Sequence, residues 1–156
     1  MAVVATISAD VHEGISPLTV SFTVDIESGL PRSFLWDFGD GTSSTDDEPT
    51  HIYSTTGYHT VILVITDESY VDTTVRMGGY IRVGKLSFEA DETTGQPPLQ
   101  VNFTNLSVAP TGYFFTGYEW DFGDGTIPAS GDTGATHTYS ENGLFNVELD
   151  AKMYRL

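Results

Sequence analysis

The string Trp-Asp-Phe-Gly-Asp-Gly-Thr stands at residues 36–42 and recurs letter for letter at 120–126. A chain of 156 residues carrying one such string twice is built from a duplicated unit, and every other motif has to be placed within that repeat. The likeness extends on both sides. Upstream, Pro-Leu-Thr-Val-Ser-Phe at 17–22 matches Pro-Leu-Gln-Val-Asn-Phe at 98–103. Downstream, Thr-His-Ile-Tyr-Ser at 50–54 matches Thr-His-Thr-Tyr-Ser at 136–140, and Gly57, Val61 and Leu63 match Gly143, Val147 and Leu149. The change of copy falls near Gly84 and Lys85, which divides the chain into domains 1–84 and 85–156 with hardly any linker.

Alternating apolar and polar residues, frequent Gly and Pro breaks, and abundant Thr, Val, Tyr and Phe predict β-strands throughout. No window holds helical spacing over three turns. In the first copy strands are expected at 3–8, 18–26, 33–37, 50–53, 59–66 and 70–83. In the second they are expected at 86–90, 99–106, 117–121, 135–139 and 144–152. Short strands separated by turns argue for an antiparallel β-sandwich rather than a parallel sheet.

The repeated string has a mechanical reading. Gly39 and Gly41, like Gly123 and Gly125, supply positive φ, and Asp40 or Asp124 can bond nearby backbone amides in a tight turn. Trp36 and Trp120 lie on the preceding strand, where a sandwich needs one large residue between its sheets. Tyr53 and Tyr139 precede the Gly-led sixth strand, in the manner of the tyrosine corner of sandwich folds. These residues, with Asp37, Asp121, His51 and His137, read as makers of the fold.

At this point the chain resembles the polycystic kidney disease (PKD) domain family. That pattern runs Pro-Leu-x-Val-x-Phe, Trp-Asp-Phe-Gly-Asp-Gly, His-x-Tyr and Gly-x-Tyr-x-Val-x-Leu-x-Val, and both copies carry it over nearly the whole chain. The resemblance implies an immunoglobulin-like sandwich and a non-enzymatic module for adhesion, spacing, or protein or carbohydrate contact. His59 departs from the pattern, where the second copy keeps the aromatic Phe145. A second departure is the length after the sixth-strand glycine: the first copy has chain enough for two further strands beyond Gly57, whereas the second has far less beyond Gly143. The second sandwich is therefore expected to lack its last strand. Three readings stay open: a dispensable last strand that leaves an ordinary edge, a chain that is a fragment, or an edge completed by strand addition from a neighbouring chain or another copy.

The charge balance narrows the partners. The sequence holds 22 acidic and 6 basic side chains, a net charge of −16, shared between both copies. Such a surface repels phosphate backbones and anionic lipid, which argues against nucleic-acid and membrane partners. There is no cysteine, so the small domains stand without disulfides. The apolar start of the chain is broken by Asp10 and His12 and has no basic stretch, so it reads as a first strand, neither a signal peptide nor a membrane span.

Catalytic constellations fail in turn. His51 and His137 occupy equivalent repeat positions, so the fold explains them better than a single active site does. Asp37-Phe38-Gly39 spells a kinase magnesium motif, but its strand–turn setting and its duplication make that a chance match. No catalytic residue and no enzyme activity are expected. Calcium is the one cofactor worth weighing, because Asp46, Asp47, Glu48, Asp67, Glu68, Asp91 and Glu92 offer hard oxygen ligands in or beside loops, though none in EF-hand order.

Two contact surfaces are expected. If Val61, Leu63 and Ile65 point inward, then Ile62 and Val64 point outward, beside Leu35 on the neighbouring strand. The equivalent outward residues of the second copy are Glu148, Asp150 and Glu119. An apolar face in one copy against an acidic face in the other marks either an external contact surface or packing between the copies. The second surface is Tyr113, Phe114 and Phe115, read as an aromatic protein- or carbohydrate-binding loop, with Tyr118 facing the core. The overall expectation is a non-catalytic structural protein acting by protein–protein contact. Its first form is a virion-surface component, a phage capsid decoration or accessory protein binding capsid subunits or itself. The alternative is an adhesion or carbohydrate-binding accessory module of a secreted or cell-surface protein.

Overall fold

The computed structural model describes residues 2–131 and 133–156, and among these all regular structure is β. The chain forms two compact units, Met1–Gly84 and Lys85–Leu156.

In the first unit, β1 (Val4–Ala9), β3 (Leu18–Ser28) and β6 (Thr50–Tyr53) form one sheet in the order β1-β3-β6. The facing sheet runs β2 (Glu13–Ile15), β8 (Asp72–Gly84), β7 (Gly57–Asp67), β4 (Pro31–Asp37), β5 (Ser43–Ser44). This is the expected sandwich with two strands that were not expected: the short β5, and β2, which pairs parallel with β8 from Glu13 opposite Arg82 to Ile15 opposite Gly84. Strict alternation along β7 buries His59, Val61, Leu63, Ile65 and Asp67 and turns the residues between them outward. Val20 and Phe22 of β3 meet them from the other sheet, and Trp36 fills the space between, 5.6 Å from the Phe22 ring. The indole Nε1–H donates to the Asp46 carbonyl at 3.0 Å, so burying this ring leaves no donor unsatisfied.

The β7–β8 turn corrects one boundary. The buried Asp67 carboxylate accepts the amides of Ser69 and Val71 at 2.8 and 2.9 Å, and Tyr70 takes φ 62°. These bonds hold residues through Val71 in the turn, so β8 starts at Asp72 rather than at Tyr70.

In the second unit, β9 (Phe88–Ala90), β10 (Leu99–Asn105) and β13 (Gly134–Tyr139) make one sheet, and β11 (Tyr113–Asp121), β12 (Ala129–Ser130) and β14 (Glu148–Arg155) the other. Val101, Phe103, Trp120, Phe122 and Tyr139 form its core. The second sheet has the order β12-β11-β14, and no strand of the described residues takes the place that β8 holds in the first unit. Missing that strand moves the predicted boundary. In β7, residues 57–61 have only β8 to pair with, because β4 meets β7 from Ile62 onward. Their counterparts at 143–147 have no ladder partner, and β14 begins at Glu148 instead of Leu144. It continues instead to Arg155, which pairs with Tyr113 and lengthens β11 well upstream of the expected start at Gly117.

Trp36 and Trp120 are both fully buried. Trp36→Ala and Trp120→Ala are each expected to cost about 3–5 kcal/mol in urea unfolding. A loss below about 1 kcal/mol for either would remove it from the core of its sandwich.

Candidate interaction surfaces

The polar residues of the repeat close on themselves, in the same way twice. Asp37 accepts the Gly39 amide and Asp121 the Gly123 amide, both at 2.9 Å. Asp40 accepts the amide and hydroxyl of Thr42 at 3.1 and 2.6 Å, and Asp124 accepts those of Thr126 at the same distances. The second oxygen of each carboxylate takes a 2.7 Å bond from His51 Nε2 or His137 Nε2. Each imidazole lies flat on the phenylalanine of the motif, Phe38 or Phe122, with ring centroids 4.1 Å apart. The tyrosine hydroxyls of Tyr53 and Tyr139 donate to the carbonyls of Phe38 and Phe122 at 3.1 Å. Gly39 and Gly123 are obligatory: φ is 76° and 72°, and a Cβ there would strike the Thr60 or Asn146 carbonyl. Gly41 and Gly125 also have positive φ, 92° and 80°, with open space around them.

This geometry does not make a catalytic triad, although Asp40, His51 and Thr42 adjoin. A relay needs the carboxylate on one ring nitrogen and the nucleophile on the other. Here Asp40 and Thr42 both approach His51 Nε2, the latter at 3.3 Å, and the Thr42 hydroxyl already donates to Asp40. Burial works against ionising Asp40, but the bonds from Thr42 and His51 outweigh it and hold its carboxyl below the ordinary range. Asp124 is held at about 2, first by the Thr126 hydroxyl, against burial, with His137 adding to the effect. Burial, then the nearby Asp40 and Asp37, push the Tyr53 phenol up; burial and Asp124 do the same to Tyr139.

Three of the loop carboxylates weighed for calcium serve turns and neighbours. Asp67 caps the β7–β8 turn, Asp46 accepts the Ser44 hydroxyl at 3.1 Å, and Asp91 accepts the backbone amide and the side chain of Asn102. Among the described residues no three His, Cys, Asp or Glu side chains converge as a metal site.

On the outer face of the first unit's larger sheet, Leu35 lies directly opposite Val64, and Ile62 is the next outward residue along β7. Leu35 is 48% exposed, and Ile62 and Val64 are half-buried. The equivalent face of the second unit sets Glu119 opposite Asp150 and Asp121 opposite Glu148, two directly facing like-charge pairs. Tyr113, Phe114 and Phe115 are in β11, not in a loop as expected. Their ladder partners are Arg155, Tyr154 and Met153, and Gly117, at φ 60°, sits in the bulge that separates this stretch from the Trp120 register. Phe114 is exposed, Phe115 is half-buried against Tyr118, and Tyr118 is buried. Tyr154 was missed by sequence reasoning. Its ring stacks against Phe114 with centroids 5.9 Å apart, and the two form an exposed aromatic pair. Only the cross-strand register brings them together, so no local signal marked Tyr154.

The PKD domain pattern matches residues 1–78 and again residues 85–153. The chain belongs to the PKD domain family. PKD domains are generally non-catalytic accessory domains. Collagenase ColA of Bacillus cereus is 51% identical over 41 residues, covering 26% of this chain and 4% of that protein. Polycystin-1 of Homo sapiens is 30% identical over 129 residues, or 80% of this chain and 3% of that one. Pre-pro-metalloprotease PrtV of Vibrio cholerae is 38% identical over 56 residues, covering 36% of this chain and 6% of that protein. The crystal structure of the PKD1 domain from PrtV superposes with TM-score 0.46 and 32% identity, over 53% of this chain and 98% of the domain. The matched stretches span 3–6% of the length of these curated relatives. No helix among the described residues is long and apolar enough to cross a membrane.

The lowered carboxyl groups set a pH dependence. A depressed folded-state value gives stabilisation that is complete above the unfolded value of 3.8 and is lost as pH falls through the folded one. For Asp124 that window runs from 3.8 down to about 2. Urea unfolding is expected to show stability falling across this window, with a shallower fall in Asp124→Asn. An unchanged slope in the variant would contradict the assignment.

Proposed function

We propose that this PKD pair is a non-catalytic interaction module that works through the faces of its sheets, as an accessory part of an extracellular protein. The observation that carries the reading is the contrast between the two kinds of residue. The His–Asp clusters that might do chemistry are consumed by the turns in both units, while Leu35, Ile62 and Val64 keep an apolar patch on an outer sheet face. The company that the domain keeps, in a collagenase, a metalloprotease named for its pre- and pro-segments, and polycystin-1, supports an extracellular accessory place. It favours that place over the virion surface, the finer form that the short acidic chain raised.

A second reading rests on its own observation. The exposed Phe114–Tyr154 pair offers ring faces of the kind that stack on sugars, which favours carbohydrate contact in the second unit.

Co-sedimentation separates the two, with fibrillar collagen (chosen for the collagenase relative) and a panel of insoluble polysaccharides as probes. Protein contact predicts retention on the fibrils, weakened at least tenfold by Leu35→Glu with Ile62→Glu while the melting temperature holds. Carbohydrate contact predicts retention on a polysaccharide, lost in Phe114→Ala with Tyr154→Ala. Turnover of either matrix by the purified chain would overturn the non-catalytic reading.

A further inference from the structure

Asparagine or aspartate stands directly before glycine at three places in the sequence, Asp40-Gly41, Asp124-Gly125 and Asn142-Gly143. At such a pair the glycine nitrogen can close on the carboxyl or amide carbon of the side chain before it, because no Cβ stands in its way. The two aspartates are shielded by their own bonds. Asp40 holds Thr42 on one oxygen and His51 on the other, and Asp124 holds Thr126 and His137 in the same way. Both carboxyls also lie below their ordinary range, so each is met as a carboxylate, which a nitrogen nucleophile attacks poorly.

Asn142 has no such shield. It lies in the connection from β13 to β14, where residues 141–144 are all exposed. Among the described residues no hydrogen bond holds its side chain. This exposure belongs to the repeat and not to the edge of β14: the counterpart residues 55–58 are exposed as well, although Gly57 and Tyr58 pair with β8 there. The other three asparagines are placed differently. Asn102 is bonded at both side-chain atoms, to Asp91 and Thr136, Asn105 accepts the Ser107 amide, and none of the three precedes glycine.

We propose that Asn142 is a site of spontaneous covalent modification, passing through a succinimide to aspartate and isoaspartate in the folded protein. The Gly143 nitrogen bonds to Asn142 Cγ as the bond from Cγ to the side-chain nitrogen breaks. That nitrogen leaves as ammonia, carrying the proton of the Gly143 amide. Water then opens the five-membered ring at either carbonyl. Opening at the side-chain carbonyl gives aspartate, opening at the main-chain carbonyl gives isoaspartate, and either product ionises and adds one negative charge. Isoaspartate lengthens the main chain by one carbon at a crowded place. A Cβ on Gly143 would already come within 2.6 Å of the Phe145 ring, and Phe145 stacks on Tyr139 with centroids 4.5 Å apart. None of these residues belongs to the two contact surfaces, so this inference and the proposed function fail separately.

The test incubates the whole chain in mildly alkaline buffer made with oxygen-18 water and maps its peptides by mass spectrometry. Position 142 is expected to gain labelled oxygen and a negative charge at least tenfold faster than Asn102, Asn105 or Asn146. Asn142→Thr, which installs the residue that the first copy has at Thr56, is expected to keep its charge and its melting temperature. Isoaspartate at positions 40 and 124 is expected only when the chain is unfolded in guanidinium chloride. An intact, unlabelled Asn142, or a variant that acidifies as fast as the natural chain, would overturn the site. Isoaspartate forming at 40 or 124 as fast in the folded chain as in the unfolded one would overturn the shielding.

Discussion

Each sandwich is held at one corner by a carboxylate that faces two ways. Asp40 takes the Thr42 amide and hydroxyl on one oxygen and the His51 ring on the other, and Asp124 does the same with Thr126 and His137. The first set of bonds shapes the turn after β4 or β11, and the second ties that turn to β6 or β13 in the opposite sheet. With the imidazole flat on Phe38 or Phe122 and the tyrosine hydroxyl on the same residue's carbonyl, the two sheets are clamped where the tryptophan fills the space between them. Groups that would serve as acid, base and nucleophile elsewhere are bonded to one another here, the Thr42 hydroxyl and the His51 ring both on the Asp40 carboxylate.

Beyond that clamp, the two units part company through the ladder on one side of a single strand. A β-strand exists where its backbone groups find partners. Residues 57–61 find them in β8, and residues 143–147, with a similar pattern, do not. The consequence passes from backbone to core. Positions fully buried in the first unit become half-buried in the second, and apolar surface that would be interior lines a groove. The same asymmetry marks the outer faces, apolar around Leu35 and acidic around Glu119 and Glu148, so two copies of one domain present unlike surfaces.

What the sequence made readable was whatever the repeat states locally. The tryptophans, the glycines of the turn, the corner tyrosines and the inward–outward alternation of β7 lie within a few residues of their causes. The parts that escaped depend on partners distant in the chain. The parallel β2 is a strand only because β8 passes beside it, and Tyr154 is a surface residue of interest only because a bulge at Gly117 sets it against Phe114. The placement of Tyr113, Phe114 and Phe115 in a strand follows from β14 running to Arg155, which no local propensity announced. Periodicity predicted a strand at 144–147 correctly as a preference and wrongly as a fact, since preference without a partner leaves the ladder unmade.

Both copies of the repeated string build the same clamp, with each histidine ring in the same setting. Nuclear magnetic resonance of the imidazole protons of His51 and His137 addresses it directly. Both rings stack at 4.1 Å on phenylalanine and bond a carboxylate at 2.7 Å, so the account predicts closely similar upfield ring-current shifts and slow exchange of both Nε2 protons. Signals that differ strongly between the two histidines, or a freely exchanging Nε2 proton in either, would contradict it.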